Sequence, residues 1–448
     1  MPDLTLDWFW LALQTAALFV MIGAQLRRRQ NRNFYALLIP VAFLILMQGQ
    51  AWWAFHQFAT TGQRTMEQLY NVFDIDAARR ANLYVGLGTI AYVLGWWAMR
   101  GEVVTVGEPT PVRSYPSPRF PAYLLCAIWT AASAYLLVGQ AGGLDLAIAQ
   151  PGRLIEGGTV FIIAVGLAKW PLIQRIASRQ RPRIADVAFW GASTLITLFN
   201  SRFLTAFAII QLLVVLNYYH REIRRRTIAA MVVPALGIFI VFGIYRDYAF
   251  RFGTVGTEAA HEFLSRPEEW NVADWFYRTN VEGFTGVAGA LAYEHQHPFD
   301  YDFGISELNV FTRLVPNSVR NDPSMPFASI VTSLDNVYPY SASVVASGIE
   351  LANGHLGLAG VLIYCAMLGV LTVWFDRRAR EIRPGRLAYL ILSAQLLNGV
   401  RASLFFSIVF FGLGDLITLT VYRGFLRVDR EFDSIGAGPD PVTTNAAP

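Results

Sequence analysis

Charge is what this chain has least of. Only 15% of its 448 residues are Asp, Glu, Lys or Arg, against 54% hydrophobic residues and a mean hydropathy of +0.39. A soluble globular chain devotes about a quarter of its residues to charge, so an ordinary water-covered surface is excluded. Lysine is nearly missing, with Lys169 the single one among 36 basic residues. Cysteine is scarce too. Cys126 and Cys365 both sit in apolar runs, which excludes a disulfide framework and a cysteine metal cluster. There is no Gly-rich phosphate loop on a strand–helix unit and no Cys/His ligand spacing. No cofactor and no nucleic-acid partner are expected. Trp8–Leu26 lacks a small-residue cleavage site before Arg27, Arg28, Arg29 and Arg32, so it reads as a span and not as a cleavable signal.

What the chain has instead is a series of apolar runs, many near 20 residues, long enough to cross a ~30 Å hydrocarbon core as helices. The expected fold is all-α: a polytopic membrane protein of about 11 spans with the lipid bilayer as its surroundings. The runs are Trp8–Leu26, Phe34–Phe55, Ala81–Met99, Phe120–Ala141, Gly158–Ile173, Ile184–Phe199, Phe203–Tyr219, Thr227–Tyr245, Val344–Phe375, Leu387–Val400 and Ala402–Tyr422. Arginines cluster in alternate loops, as at Arg175, Arg179, Arg181 and Arg183, at Arg221, Arg224, Arg225 and Arg226, and between Arg377 and Arg386. The positive-inside rule puts these loops in the cytoplasm. Arg79 and Arg80 fall on the opposite side and break the pattern. The expected domains are residues 1–245 with eight spans, a large extracytoplasmic loop over 246–343 containing short helices, 344–422 with three spans, and a cytoplasmic tail, 423–448, whose Gly, Pro, Asn and Ala composition reads as disordered.

The large loop carries 13 acidic residues against six arginines and is dense in aromatics, among them Trp270, Trp275, Tyr277, Tyr293 and Tyr338. Two short hairpins belong to the same expected face. One turns at Asn200-Ser201-Arg202 and the other runs through Asn398-Gly399-Val400-Arg401. A guanidinium holds phosphate oxygens bidentately, which suits a lipid diphosphate at the bilayer surface. The competing reading has each arginine snorkel to lipid headgroups.

In these residues the chain resembles the Wzy-type oligosaccharide repeat-unit polymerases of bacterial surface polysaccharide assembly. The resemblance rests on Ser201-Arg202, on Leu314-Val315-Pro316 with Arg320 and Pro323, on Asn336-Val337-Tyr338, and on Gly348-Ile349-Glu350 running to Gly360. It covers roughly residues 199–401. Pro339 stands where members often have Thr, the aromatic usual near Asn353 is missing, and the spacing from Glu350 to the glycines is irregular. The resemblance implies a metal-independent glycosyltransferase of the bacterial inner membrane with its large loop in the periplasm. Its donor and acceptor would be undecaprenyl-diphosphate-linked oligosaccharides, joined into an O-antigen or exopolysaccharide, with a chain-length regulator as a further partner. It also implies substrate-binding roles for Arg320, Asn336 and Tyr338.

Such a transfer needs a stabilised diphosphate leaving group, a base for the acceptor hydroxyl and a grip on sugars. Arg202 and Arg401 are the candidates for the first, with Arg278 and Arg313 behind them. Glu350 and His355 are the candidates for the base. Glu294 and His295, with His297, form a second cluster in the loop. Plainer readings stand beside these. His295 and His297 could be exposed loop residues, Glu350 a helix-terminal anchor, and His355 a packing residue between glycines. Arg278 and Glu282 could pair on an interfacial helix whose apolar stripe is Val281, Phe284, Val287 and Leu291. Asp415 could make an interhelical hydrogen bond, and Asp74-Ile75-Asp76 is a weak metal-binding pair. Two alternative functions remain: an O-antigen ligase-like transferase, and a lipid-linked oligosaccharide flippase.

Overall fold

A computed structural model gives the architecture. It describes residues 4–27, 35–67, 72–99, 169–200, 202–220, 264–266, 283–296, 345, 357–380, 386–400 and 408. The described residues are mostly helical, with one small β-hairpin. In chain order, α1 is Thr5–Arg27 and α2 is Tyr35–Ala42. A π-helical segment, Phe43–Gly49, joins α2 to α3, Gln50–Thr61. The hairpin pairs β1, Thr65–Glu67, with β2, Val72–Asp74, antiparallel in the register Thr65 to Asp74 and Glu67 to Val72. Then come α4, Ile75–Ala98, α5 over 169–177, α6, Ile184–Asn200, and α7, Arg202–Val215, which ends in a π turn, Leu216–His220. The last three are α8, Phe284–Gln296, α9, Gly357–Arg380, and α10, Arg386–Gly399.

Among the described residues three helices are long and apolar enough to cross a membrane: Thr5–Leu26, Leu37–Thr61 and Gly357–Ala379. On the first of these helices and on the neighbouring α4, apolar side chains face outward and amides inward. On α1, Phe9 and Val20 are 66% and 72% exposed while Gln14 is buried at 1%. On α4, Leu94 and Trp97 face outward while Asn82 and Thr89 are buried. A helix that turns its apolar face out and its amides in would be unstable in water. In hydrocarbon the same arrangement is the favourable one, because buried polar groups must find partners within the protein.

Those partners set the helix directions. Gln14 Nε2 donates to Asn82 Oδ1 at 2.8 Å, Trp10 Nε1 to the Asn82 carbonyl at 3.1 Å, and Asn82 Nδ2 to the Asp7 carbonyl at 3.2 Å. The first turns of α1 and α4 therefore lie side by side, and the two helices run parallel. The segment α2–π–α3 runs antiparallel between them. Trp52 near its far end reaches Thr15 on α1, and Gln48 Nε2 donates to Thr89 Oγ1 on α4 at 3.2 Å. Pro40 inside α2 removes one backbone rung, and the π segment follows directly.

Helix α9 runs parallel to α4 at very close range. A Cβ on Gly95 would collide with the Ala366 backbone, and one on Gly369 with the backbone of Tyr92 and Trp96. Only small residues allow two helix backbones to approach this closely in a bilayer-type bundle. Helix α10 returns antiparallel to α9, with Tyr389 in edge contact with Trp374 and Phe375. Helix α7 packs antiparallel to α10, as Gln211 Nε2 reaches the Ile391 carbonyl at 3.4 Å.

The bundle has two ends, and the chain sorts onto them. The upper end holds the starts of α1 and α4 and the β-hairpin. The lower end gathers α5, the finish of α7 and α9, and the start of α10, in one cluster containing Trp170, Ile176, Tyr219, Ala379 and Leu387. Two hydrogen bonds tie that end: Tyr218 Oη donates to the Ala379 carbonyl and Arg179 Nε to the Tyr219 carbonyl. Arg175 meets Asp186 at 2.9 Å, both buried. The helix ends near the arginine clusters 175–183 and 377–380 thus meet in space.

Candidate functional site

At the upper end, Asp74 caps α4 by accepting from the Ala77 N–H at 2.7 Å. Its carboxylate is therefore engaged in helix capping, and neighbouring Asp76 pairs with Arg79 at 3.5 Å. Among the described residues no group of three His, Cys, Asp or Glu could hold a metal ion. Arg79 also bridges to Asp7 on α1 at 3.2 Å. Arg80 Nη2 donates to the carbonyl of Leu291 on α8 at 3.1 Å. These two arginines break the positive-inside pattern, and their partners supply the physical reason. One is offset by two carboxylates, and the other by a carbonyl toward the negative end of a helix.

Helix α8 comes from the acidic segment, and its position corrects a sequence expectation. The stripe Phe284, Val287, Leu291 reads as the buried face of an interfacial helix. The structure instead seats the helix inside the bundle, with every residue from Gly283 to Leu291 buried. Gly283 packs on the Leu46 carbonyl, where a Cβ would not fit. Gln50 Oε1 accepts from the Thr285 N–H at 3.3 Å, and Phe284 faces Phe55 with ring centroids 6.1 Å apart. Leu46 and Gln50 lie near the middle of the span Leu37–Thr61. The 13-residue helix, about 20 Å long, therefore climbs from mid-depth to the upper end. The signal was in the sequence. The face opposite the stripe is Thr285, Gly286, Ala288, Gly289 and Ala290, with no charge. A helix apolar all round is buried and not interfacial.

Of the sequence candidates, Glu294 and His295 fall in the last turn of α8, beyond the Arg80 contact and at the upper rim. Arg202 is the first residue of α7. The Gln211–Ile391 contact fixes its height relative to α10. Arg202 stands nine residues above Gln211, and Val400 stands nine above Ile391. The start of α7 and the end of α10 are therefore level, both about 14 Å above that contact, on helices packed against each other. Helix α6 ends at Asn200 and α7 begins at Arg202, where the sequence leads one to expect a turn, and Ser201 itself lies outside the described residues. Arg401, Glu350, His355, Arg278, Arg313, Arg320, Asn336 and Tyr338 lie outside the described residues, as do Val281, Glu282, His297 and Asp415.

One upper-end feature has more shape than its sequence suggested. Trp52-Trp53 reads only as an interface marker. In the structure Trp8, Gly49, Trp52, Trp53 and His56 line an open groove between α1 and α3. The rings of Trp8 and Trp52 lie 5.0 Å apart at 31°. Gly49 closes the π segment and adds no side chain to the floor. Aromatic faces at such a level can stack on the apolar face of a sugar ring or line the neck of a lipid.

Fold and burial pattern define a class: a mostly helical protein with helices fit to span a membrane. Comparison of the chain with protein-family models, with curated proteins and with solved structures finds no match.

Proposed function

We propose that the protein polymerises undecaprenyl-diphosphate-linked oligosaccharide repeat units at the outer face of a bacterial inner membrane. In this reading the upper end of the bundle faces the periplasm, and the acidic segment 246–343 is the periplasmic loop, which re-enters the bundle through α8. Eleven spans cross the bilayer. The observation that carries the reading is the level pairing of the α7 start with the α10 end. It supports a two-arginine clamp in which Arg202 and Arg401 hold the diphosphate of the donor. As the glycosidic bond to the carrier breaks, negative charge grows on the leaving diphosphate, and fixed guanidinium groups stabilise it. The acceptor hydroxyl loses its proton to a carboxylate or imidazole as it attacks the anomeric carbon. Glu350 and His355 are the proposed bases, and Glu294 and His295 the alternative at the rim.

The test is product length in cells expressing equal amounts of each variant. Arg202→Ala and Arg401→Ala are expected to abolish long polysaccharide and to leave single repeat units. Full-length polysaccharide from both variants would rule out the clamp. Purified protein given lipid-linked donor and acceptor should elongate glycan unaided, which a flippase would not do.

A further inference from the structure

The upper-end arginines do more than neutralise carboxylates. Helix α8 is held at both ends by groups far away in sequence. At its lower end Gln50 accepts from the first-turn N–H of Thr285, and Gly283 rests against Leu46. At its upper end the tie is Arg80, donating to the Leu291 carbonyl across 211 residues. Arg79 is engaged separately with Asp7, so α4 is tied to α1 without help from Arg80. The two adjacent arginines thus fix different partners: one joins span to span, the other joins the bundle to the acidic segment.

We infer that Arg80 is a positioning residue for the last turn of α8. By gripping the Leu291 carbonyl it sets the height and rotation of the helical turn that carries Glu294 and His295. Burial is continuous from Gly283 to Leu291, and Ala292, the next residue, is only partly buried. Without Arg80 the lower half of α8 stays wedged by its glycine contacts while the upper turn frays. The acidic segment then keeps its anchor but loses its register against the bundle. This inference rests on the glycan-polymerase reading only for the consequence in turnover. The anchoring itself stands on the geometry.

The experiment uses full-length protein in membrane vesicles. The reporter is Gln296→Cys in a chain carrying Cys126→Ser and Cys365→Ala, labelled by a membrane-impermeant maleimide. Arg80→Ala is expected to raise the labelling rate about tenfold, the scale of one lost hydrogen bond to a charged group. Arg80→Lys, which keeps a donor, should bring it most of the way back. Elongation assayed without the reporter should show kcat reduced by a similar factor in Arg80→Ala, with KM for the lipid-linked donor little changed and partial rescue by Lys. Equal labelling in Arg80→Ala and the parent overturns the anchor. Raised labelling with unaltered kcat overturns the positioning role. If the unsubstituted protein elongates nothing, the polymerase reading falls alone, and the labelling result still decides the anchor. Should Arg80→Ala fail to accumulate, Arg80→Met, which keeps an unbranched chain but no donor, is judged by the same two readouts.

Discussion

Around α4 the buried polar groups are Gln14, Gln48, Gln50, Asn82 and Thr89, all neutral and joined by amide and hydroxyl hydrogen bonds between helices. Around α5–α7 the buried set includes Lys169, Arg175 and Asp186, and the lysine donates to Gln211 at 2.7 Å. The first region packs backbones together through Gly95 and Gly369, and neutral hydrogen bonds link the helices. The second region carries charge into the interior near its arginine-rich end. There Arg175 pairs with Asp186 and donates to the Arg181 carbonyl, and Asp186 adds a favourable position in the first turn of α6. Neutral networks degrade gradually, whereas a buried ion stripped of its partner fails sharply.

The comparison can be broken most forcefully at Asp186. Asp186→Ala leaves Arg175 without its carboxylate and is expected to cost about 3–5 kcal/mol, read from denaturant unfolding in detergent micelles. The double variant Arg175→Met with Asp186→Leu should recover most of that loss, and equal damage in both would contradict a desolvation origin. Next in size is the helix contact of the first region. Gly369→Ala drives a methyl into the Tyr92–Trp96 backbone and should cost about 1–3 kcal/mol, with Gly191→Ala in α6, where an added Cβ meets open space, as the comparison. A loss no larger than that control would mean that the α4–α9 approach is looser than described. Smallest is the neutral network. A double-mutant cycle of Gln14→Leu and Asn82→Leu should give a coupling of about 0.6 kcal/mol, and at most ~2. A coupling as large as the Asp186 loss would erase the distinction between the two regions.

Much of this was legible before any coordinates. Composition pointed to apolar helices, and the apolar runs located α1, α6, α7 and α10 to within a few residues, whereas α4 starts at Ile75, six residues before its run. The break between α6 and α7 was readable because Asn, Ser and Arg interrupt two apolar stretches. Each of these depends on local apolar content, which a sequence displays directly. The small β-hairpin escaped notice, since three-residue strands leave almost no periodic signal. The site was less legible. Sequence proposed Arg202 as half of a clamp and Glu294 with His295 as a loop cluster, but neither height nor neighbours could be read from it.

The sequence by itself determined that this protein is helical and that its arginines cluster between apolar runs. Tertiary structure alone decided that α8 wedges into the bundle and that Arg79 and Arg80 have partners suited to their end. It alone set Arg202 level with the end of α10. The physical reason is the length of chain involved. Local hydropathy chooses a helix within one turn or two, but the depth of α8 is set by contacts such as Arg80 to Leu291, between residues 211 apart.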